Sequence, residues 1–245
     1  WRNCQRGRSA PTFDTKGGHT TLSFTPRGEL AAMSGDQWRL LDGKKARLLR
    51  TVPLPIGDNR WVMSFDGTMV GAFGKADDGA HWVRLWKMFP DQREIAVVRP
   101  PAEIQQLTFS PDGSRLAISL PVEPHGDDWW IEEQHGFVAS VDLTSGAQVG
   151  SIEVAIDPGD LVATSNGQVV IASGSGQWTA LACYDATTGA ELGRLGGIFQ
   201  GTRLSLHPSE RMVYGADNGL SPSDIERYDL APDGRLGYIG DSPYH

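Results

Sequence analysis

The feature that most constrains this chain is an internal repeat. A short apolar segment running into a tight turn recurs along the sequence. It reads Leu22-Ser-Phe-Thr-Pro-Arg-Gly28, Val62-Met-Ser-Phe-Asp-Gly67 and Leu107-Thr-Phe-Ser-Pro-Asp-Gly113. Looser copies are Leu161-Val-Ala-Thr-Ser-Asn-Gly167 and Leu204-Ser-Leu-His-Pro-Ser-Glu210. Measured between the last residues of successive copies, the separations are 39, 46, 54 and 43 residues. A unit of this length cannot bury its own apolar surface, so such units must stack on one another.

Each unit divides into four short strands. In the third, Ile104–Phe109, Arg115–Leu120, Gly136–Asp142 and Gln148–Val154 are expected as strands a to d. Strand c ends on an apolar or aromatic residue and then Asp, at Leu41-Asp42, Val141-Asp142, Tyr184-Asp185 and Tyr228-Asp229. A turn containing Gly follows, as in Leu143–Gly146 and Ala186–Gly189. The Asp carboxylate can accept from turn amides, and Gly can take the positive φ of a tight hairpin. The 30 Gly and 15 Pro suit a chain that reverses direction this often.

A four-stranded sheet has two faces to cover and two edges to protect. Radial stacking covers the faces and leaves only short edges. The repeat resembles that of WD-repeat β-propellers, and Ser110-Pro-Asp-Gly113 is similar to the related bacterial repeats with a Pro-Asp-Gly turn. The resemblance covers about residues 20 to 240. It departs from the strict pattern: no Trp-Asp closes strand c, where the second unit has Trp86-Lys87. The resemblance implies an all-β fold, a β-propeller of about five four-stranded antiparallel blades, as a closed five-bladed ring or part of a larger one. The expected blades span 20–52, 60–99, 104–154, 160–195 and 202–240 within a domain of residues 20–245. Residues 1–19 form an N-terminal arm in which Ser9–Phe13 is a candidate closing strand. No specific family activity carries over.

Charge narrows the partners. Acids outnumber bases 30 to 22, for a net charge of −8. That disfavours nucleic acid, whose binding depends on Lys and Arg displacing counterions. It also disfavours an anionic membrane surface. No apolar run approaches the roughly 18 residues that span a bilayer, so a soluble chain without membrane insertion is expected. The first residue is Trp1 rather than Met, which leaves open a periplasmic or extracellular mature form and an excised domain of a longer protein. Cys4 and Cys183 show no metal-ligand spacing. Cys183 is expected as a buried small hydrophobe, a reading preferred to a disulfide with Cys4.

Loop lengths point to one side of the ring. The a–b turns are tight, and most c–d turns are short. The b–c connections of units 2, 3 and 5 are longer, approximately Gly74–Ala80, Pro121–His135 and Asp217–Asp224. Long loops on a rigid scaffold cost little stability and commonly carry binding residues. These 30 residues hold nine acids and one base, Lys75. The longest includes Asp127-Asp-Trp129-Trp130-Ile-Glu132-Glu133. Trp is enriched at the energetic centres of interfaces. Trp129 and Trp130 either cap the blade or anchor a partner. Trp38, Trp61, Trp82, Trp86 and Trp178 lie in or beside strands and are expected in the core.

The leading expectation is a non-catalytic binding or assembly module for a protein or peptide, with basic partners suiting its acids. The contact residues would be Trp129, Trp130, Asp127, Asp128, Glu132 and Glu133, with Asp77, Asp78, His81 and Trp82 as neighbours. No cofactor and no catalytic or metal residue is assigned. Ca²⁺ is the one cation the carboxylates suit, although no Asp-x-Asp-x-Asp-Gly loop is present. His125 and His135 are read as solvated loop residues rather than metal ligands or bases. One alternative is a metal-assisted hydrolase or lactonase at the ring mouth, although neither a nucleophile elbow nor a His-Glu-x-x-His motif occurs. Another is a structural subunit of a larger assembly.

Overall fold

A computed structural model of the chain describes residues 20–45, 47–54, 60–88, 91–100, 102–120, 136–143, 148–173, 178–199, 202–216 and 225–241. These residues form twenty strands in five four-stranded antiparallel sheets, each a meander in chain order. Blade 1 comprises β1 (Thr20–Phe24), β2 (Leu30–Ser34), β3 (Gln37–Leu41) and β4 (Leu48–Pro53). Blade 2 comprises β5 (Arg60–Met63), β6 (Met69–Lys75), β7 (His81–Lys87) and β8 (Arg93–Val98). Blade 3 comprises β9 (Gln106–Phe109), β10 (Arg115–Leu120), β11 (Gly136–Asp142) and β12 (Gln148–Val154). Blade 4 comprises β13 (Pro158–Ala163), β14 (Gln168–Ser173), β15 (Trp178–Asp185) and β16 (Glu191–Phe199). Blade 5 comprises β17 (Arg203–Leu206), β18 (Met212–Ala216), β19 (Ile225–Leu230) and β20 (Leu236–Asp241). The expected five-bladed propeller pattern is present.

Central strands are covered on both faces, which explains their composition. All six residues of β14, Gln-Val-Val-Ile-Ala-Ser, are buried. The outermost strands β4 and β8 are largely exposed and place Arg50, Arg93 and Glu94 on the sheet edge, where charge discourages pairing with other chains. In every blade the pairing of the third and fourth strands contains a register shift. An extra residue there increases the twist toward the rim.

Four apolar cores join the blades in sequence. Trp38, Leu40, Val70 and Trp86 lie between blades 1 and 2, with Trp61 and Trp82 packed against them. Phe73, Leu85, Leu107 and Phe109 join blades 2 and 3. Ala117, Ile152, Leu161 and Ile171 join blades 3 and 4. Val170, Cys183, Val213 and Tyr228 join blades 4 and 5. Among the described residues no such core joins blade 5 to blade 1. Burial pushes the Cys183 thiol up to about 12, with Asp185 adding to the effect; it is a core residue, not a nucleophile. Cys4 and the 1–19 arm lie outside the described residues, as does the side chain of Trp178.

The a–b turns account for the repeat. Gly28, Gly67, Gly113 and Gly167 all have positive φ, between 67° and 90°. Each amide donates to the carbonyl three residues earlier, at Thr25, Ser64, Ser110 and Thr164. In the fifth turn Glu210 takes the same place with φ 56° and donates to His207. A non-Gly residue in this region is strained by roughly 1–2 kcal/mol. The carboxylate offsets the strain: the Ser165 amide donates to it at 2.9 Å, and the Ser165 hydroxyl donates to its other oxygen. That pair links the turns of blades 4 and 5.

Two local expectations need correction. Strand c of blade 5 continues through Asp229 to Leu230, and the turn is built by Asp233 and Gly234, whose φ is 85°. The Asp42 and Asp185 turns work as expected, each carboxylate accepting two amides at 2.8–2.9 Å. Those bonds hold both carboxyls below their usual pKa range. Gly43, however, is not in the positive-φ region. A side chain there would meet the Gly28 carbonyl oxygen at 2.0 Å, so close backbone approach explains this glycine.

Candidate functional site

The second and third strands of each blade meet on the side opposite the a–b turns. In blade 2, β6 extends through Lys75 and β7 begins at His81, so the connection is the five-residue turn 76–80 rather than the longer loop expected from Gly74. Ala76 and Ala80 close it with a 2.8 Å backbone bond, and the Ala80 amide donates to Asp78 at 3.0 Å. Gly79 has φ 86°. Asp78 therefore shapes the turn, whereas Asp77 stands exposed beside it with no hydrogen-bond or ion-pair partner among the described residues.

His81 and Trp82 are adjacent in β7 and so point to opposite faces of the sheet. His81 lines a hollow of about 280 Å³ between blades 2 and 3, together with Arg60, Phe73, Lys75, Glu103 and Ile104. Trp82 is half-buried against the core of blades 1 and 2. The structure thus brings Asp77, Asp78 and His81 to one edge of this side and commits much of Trp82 to packing. Trp129, Trp130, Asp127, Asp128, Glu132 and Glu133 lie outside the described residues, as do His125, His135 and the 217–224 loop.

A second hollow, of about 340 Å³, opens where four innermost strands begin. Its lining includes Arg60, Gln105, Gln106, Asp157, Thr202 and Arg203. Arg60 borders both hollows. Its guanidinium donates to the carbonyls of Ile104 at 2.7 Å and Gln105 at 3.1 Å, and it lies 4.8 Å from the Phe73 ring centroid. Its contact with Glu103, at 3.9 Å between exposed groups, adds little. Arg60 thus works mainly as a clasp from blade 2 to blade 3, with its charge at the mouth.

Asp160 makes the corresponding clasp from blade 4 to blade 5. It accepts from the Leu204 amide at 2.8 Å and from its own neighbour Leu161 at 3.0 Å. Burial pushes its pKa up, against the lowering effect of the Leu204 bond and of nearby Arg203. A carboxyl with raised pKa at a ring mouth could serve as an acid, but here both oxygens accept backbone amides, which is a structural role. Among the described residues no three His, Cys, Asp or Glu side chains cluster as a metal site would require.

The inner mouth was not legible from motifs. Arg60, Gln105, Gln106, Asp157 and Arg203 belong to no recognisable catalytic or ligand pattern. They share a place in the repeat, at the start of the first strand, and superposing the five units would have singled them out. Their charge is mixed rather than acidic.

No known family's sequence profile matches the chain, and no curated protein matches it. Solved structures do. The β-propeller domain of Cps50 (Swd1) from Myceliophteria thermophila superposes with a TM-score of 0.61 at 16% identity, covering 93% of this chain and 72% of that one. A chain of the mitotic checkpoint complex gives 0.59 at 16% identity, covering 96% and 67%. A chain of hydrazine synthase from Kuenenia stuttgartiensis gives 0.56 at 12%, covering 89% and 65%. The chain spans about two thirds to three quarters of these proteins. At such identities the likeness establishes the fold and leaves activity to the site: this chain has a β-propeller fold.

Proposed function

We propose that the chain is a non-catalytic binding module that presents the b–c side of its blades to a protein or peptide of basic character. The observation that carries this reading is the unequal use of polar side chains. Around the a–b turns they are spent on the fold. On the opposite side, Lys75, Asp77 and His81 have no side-chain hydrogen-bond or ion-pair partner among the described residues, and Lys75 and His81 border a formed hollow. Groups that the fold does not need, held on rigid strands, are suited to a partner.

In this reading Trp129 and Trp130 supply buried area. Asp127, Asp128, Glu132 and Glu133, with Asp77, supply orientation and attract a positively charged segment. Trp82 positions the turn from beneath. The reading is consistent with one structural match belonging to a multiprotein complex, the mitotic checkpoint complex. Replacing Trp129 and Trp130 together by Ala should weaken the captured partner's binding by about 2 kcal/mol or more while the fold persists. Unchanged affinity in a folded double variant would remove these residues from the interface. A divalent ion retained through purification, with a melting shift on adding EDTA, would instead favour metal-assisted hydrolysis.

A further inference from the structure

The face that blade 2 turns toward blade 3 ends in basic residues. Alternation along the strands fixes which side chains share that face. In β5 they are Arg60 and Val62, in β6 Phe73 and Lys75, and in β7 His81, Val83 and Leu85. Val62, Phe73, Val83 and Leu85 belong to the core shared with blade 3 or pack against it. Beyond that apolar stripe the face continues into Arg60, Lys75 and His81, one from each of three strands. All three line the hollow of about 280 Å³, and register sets Lys75 directly opposite His81. At the junction of blades 1 and 2, the places of Arg60 and Lys75 hold Thr21 and Gly35.

The commitments of these groups leave room for an anion. The Arg60 guanidinium is held by the Ile104 and Gln105 carbonyls and lies over the Phe73 ring. Those contacts orient it and use two of its five N–H donors. The side chains of Lys75 and His81 have no partner among the described residues. Glu103, the acid in the lining, stands 3.9 Å from Arg60 with its side chain 71% exposed, so it neutralises little. Two permanent cations against one exposed acid make this hollow electropositive in a chain of net charge −8.

We propose that this hollow is an oxyanion site that takes a phosphate monoester or a small dicarboxylate between Arg60, Lys75 and His81. Arg60 supplies a planar fork of N–H donors, Lys75 a flexible point charge and His81 a ring N–H, and an oxyanion has acceptors for all three. A volume of about 280 Å³ is at the lower limit of ligand pockets, which suits a small anion rather than a nucleotide or a chain segment. The site shares Lys75 and His81 with the proposed protein-binding side, but an anion there depends on neither the rim acids nor Trp129 and Trp130.

Isothermal titration calorimetry of the whole chain with methyl phosphate and with succinate, at low ionic strength, tests the proposal. Sodium chloride at matched ionic strength is the control. At least one of the two probes should bind saturably at a single site. Lys75→Gln and His81→Gln should each weaken it about fivefold with the melting temperature unchanged, and Glu103→Gln should tighten it about twofold. Preference for methyl phosphate assigns a phosphoryl ligand, and preference for succinate a dicarboxylate. No saturable binding of either probe, or unaltered affinity in the Lys75 and His81 variants, would overturn the site. Capture of a protein partner through the Trp129 loop is read separately, so failure of the anion site and failure of the protein-binding role remain distinct.

Discussion

The two sides of this propeller use polar residues for different ends. On the a–b side, Ser110 and Ser114 donate to Asp112, Ser64 and Thr68 to Asp66, and Ser165 to Glu210. Trp38 crosses from blade 1 to donate to the Gly67 carbonyl at 3.2 Å, and Arg115 crosses from blade 3 to the Ser165 carbonyl at 3.3 Å. That side is a belt in which turns are closed by their own side chains, with ties from blade 1 to 2, 3 to 4 and 4 to 5. On the b–c side Arg60 and Asp160 clasp successive blades, and among the described residues the side chains of Lys75, Asp77 and His81 are left without a partner. In the proposed function, the residues that hold the ring are therefore largely separate from those that would meet a partner.

The largest effect should come from cutting the belt at its most buried tie. Trp38 is fully buried, and Trp38→Ala should cost about 3–5 kcal/mol in chemical denaturation. A loss below 1 kcal/mol would mean that the blade 1–2 junction contributes little to the ring. Next comes the strained turn. Glu210→Ala keeps the positive φ and loses the bonds to Ser165, and should cost about 2–3 kcal/mol. Glu210→Gly loses the bonds but relieves the strain, and should be about 1 kcal/mol less harmful. Equal losses would show that the backbone at this position is not strained.

Acid should act on the belt as well. Burial alone would raise the Asp112 pKa, but bonds from Ser110, Ser114 and Ser165 outweigh it and bring the carboxyl from 3.8 to about 2. A depressed folded pKa stabilises the fold above the unfolded value. That contribution is therefore complete above about pH 4 and disappears as pH falls toward 2. Because Asp112 is exposed, screening limits its worth to about 1 kcal/mol or less. Asp112→Asn should flatten this part of the stability–pH curve, and an unaltered slope would assign it to other carboxyls.

The smallest stability effects should fall on the other side. Asp77→Ala and Lys75→Ala should each change stability by no more than about 0.5 kcal/mol. A larger loss in either would show that these side chains belong to the fold, and the contrast between the two sides would fail.

What could be read in the sequence was local. The Ser110–Gly113 turn, and the strands Arg115–Leu120, Gly136–Asp142 and Gln148–Val154, agree with the structure because apolar alternation and turn chemistry act within a few residues. What escaped was contact between repeats. Ser165 with Glu210, Asp160 with Leu204, and Arg60 with Ile104 are 44–45 residues apart, one blade away. Only stacking brings such pairs together, and no motif marks them. The Asp229 turn was misplaced because β19 runs one residue past its Tyr-Asp pair, leaving Asp233 and Gly234 to close the hairpin. For the candidate site, the sequence pointed to a side and a rim; the mouth of Arg60, Gln105 and Arg203 emerged from the meeting of four strand starts.

The most direct measurement replaces Pro121–His135 by Gly-Ser-Gly and compares thermal unfolding and affinity capture with the unaltered protein. If one side holds the ring and the other binds, the melting temperature stays within a few degrees and the captured partner is lost. A variant that melts much earlier, or that keeps its partner, would contradict that division.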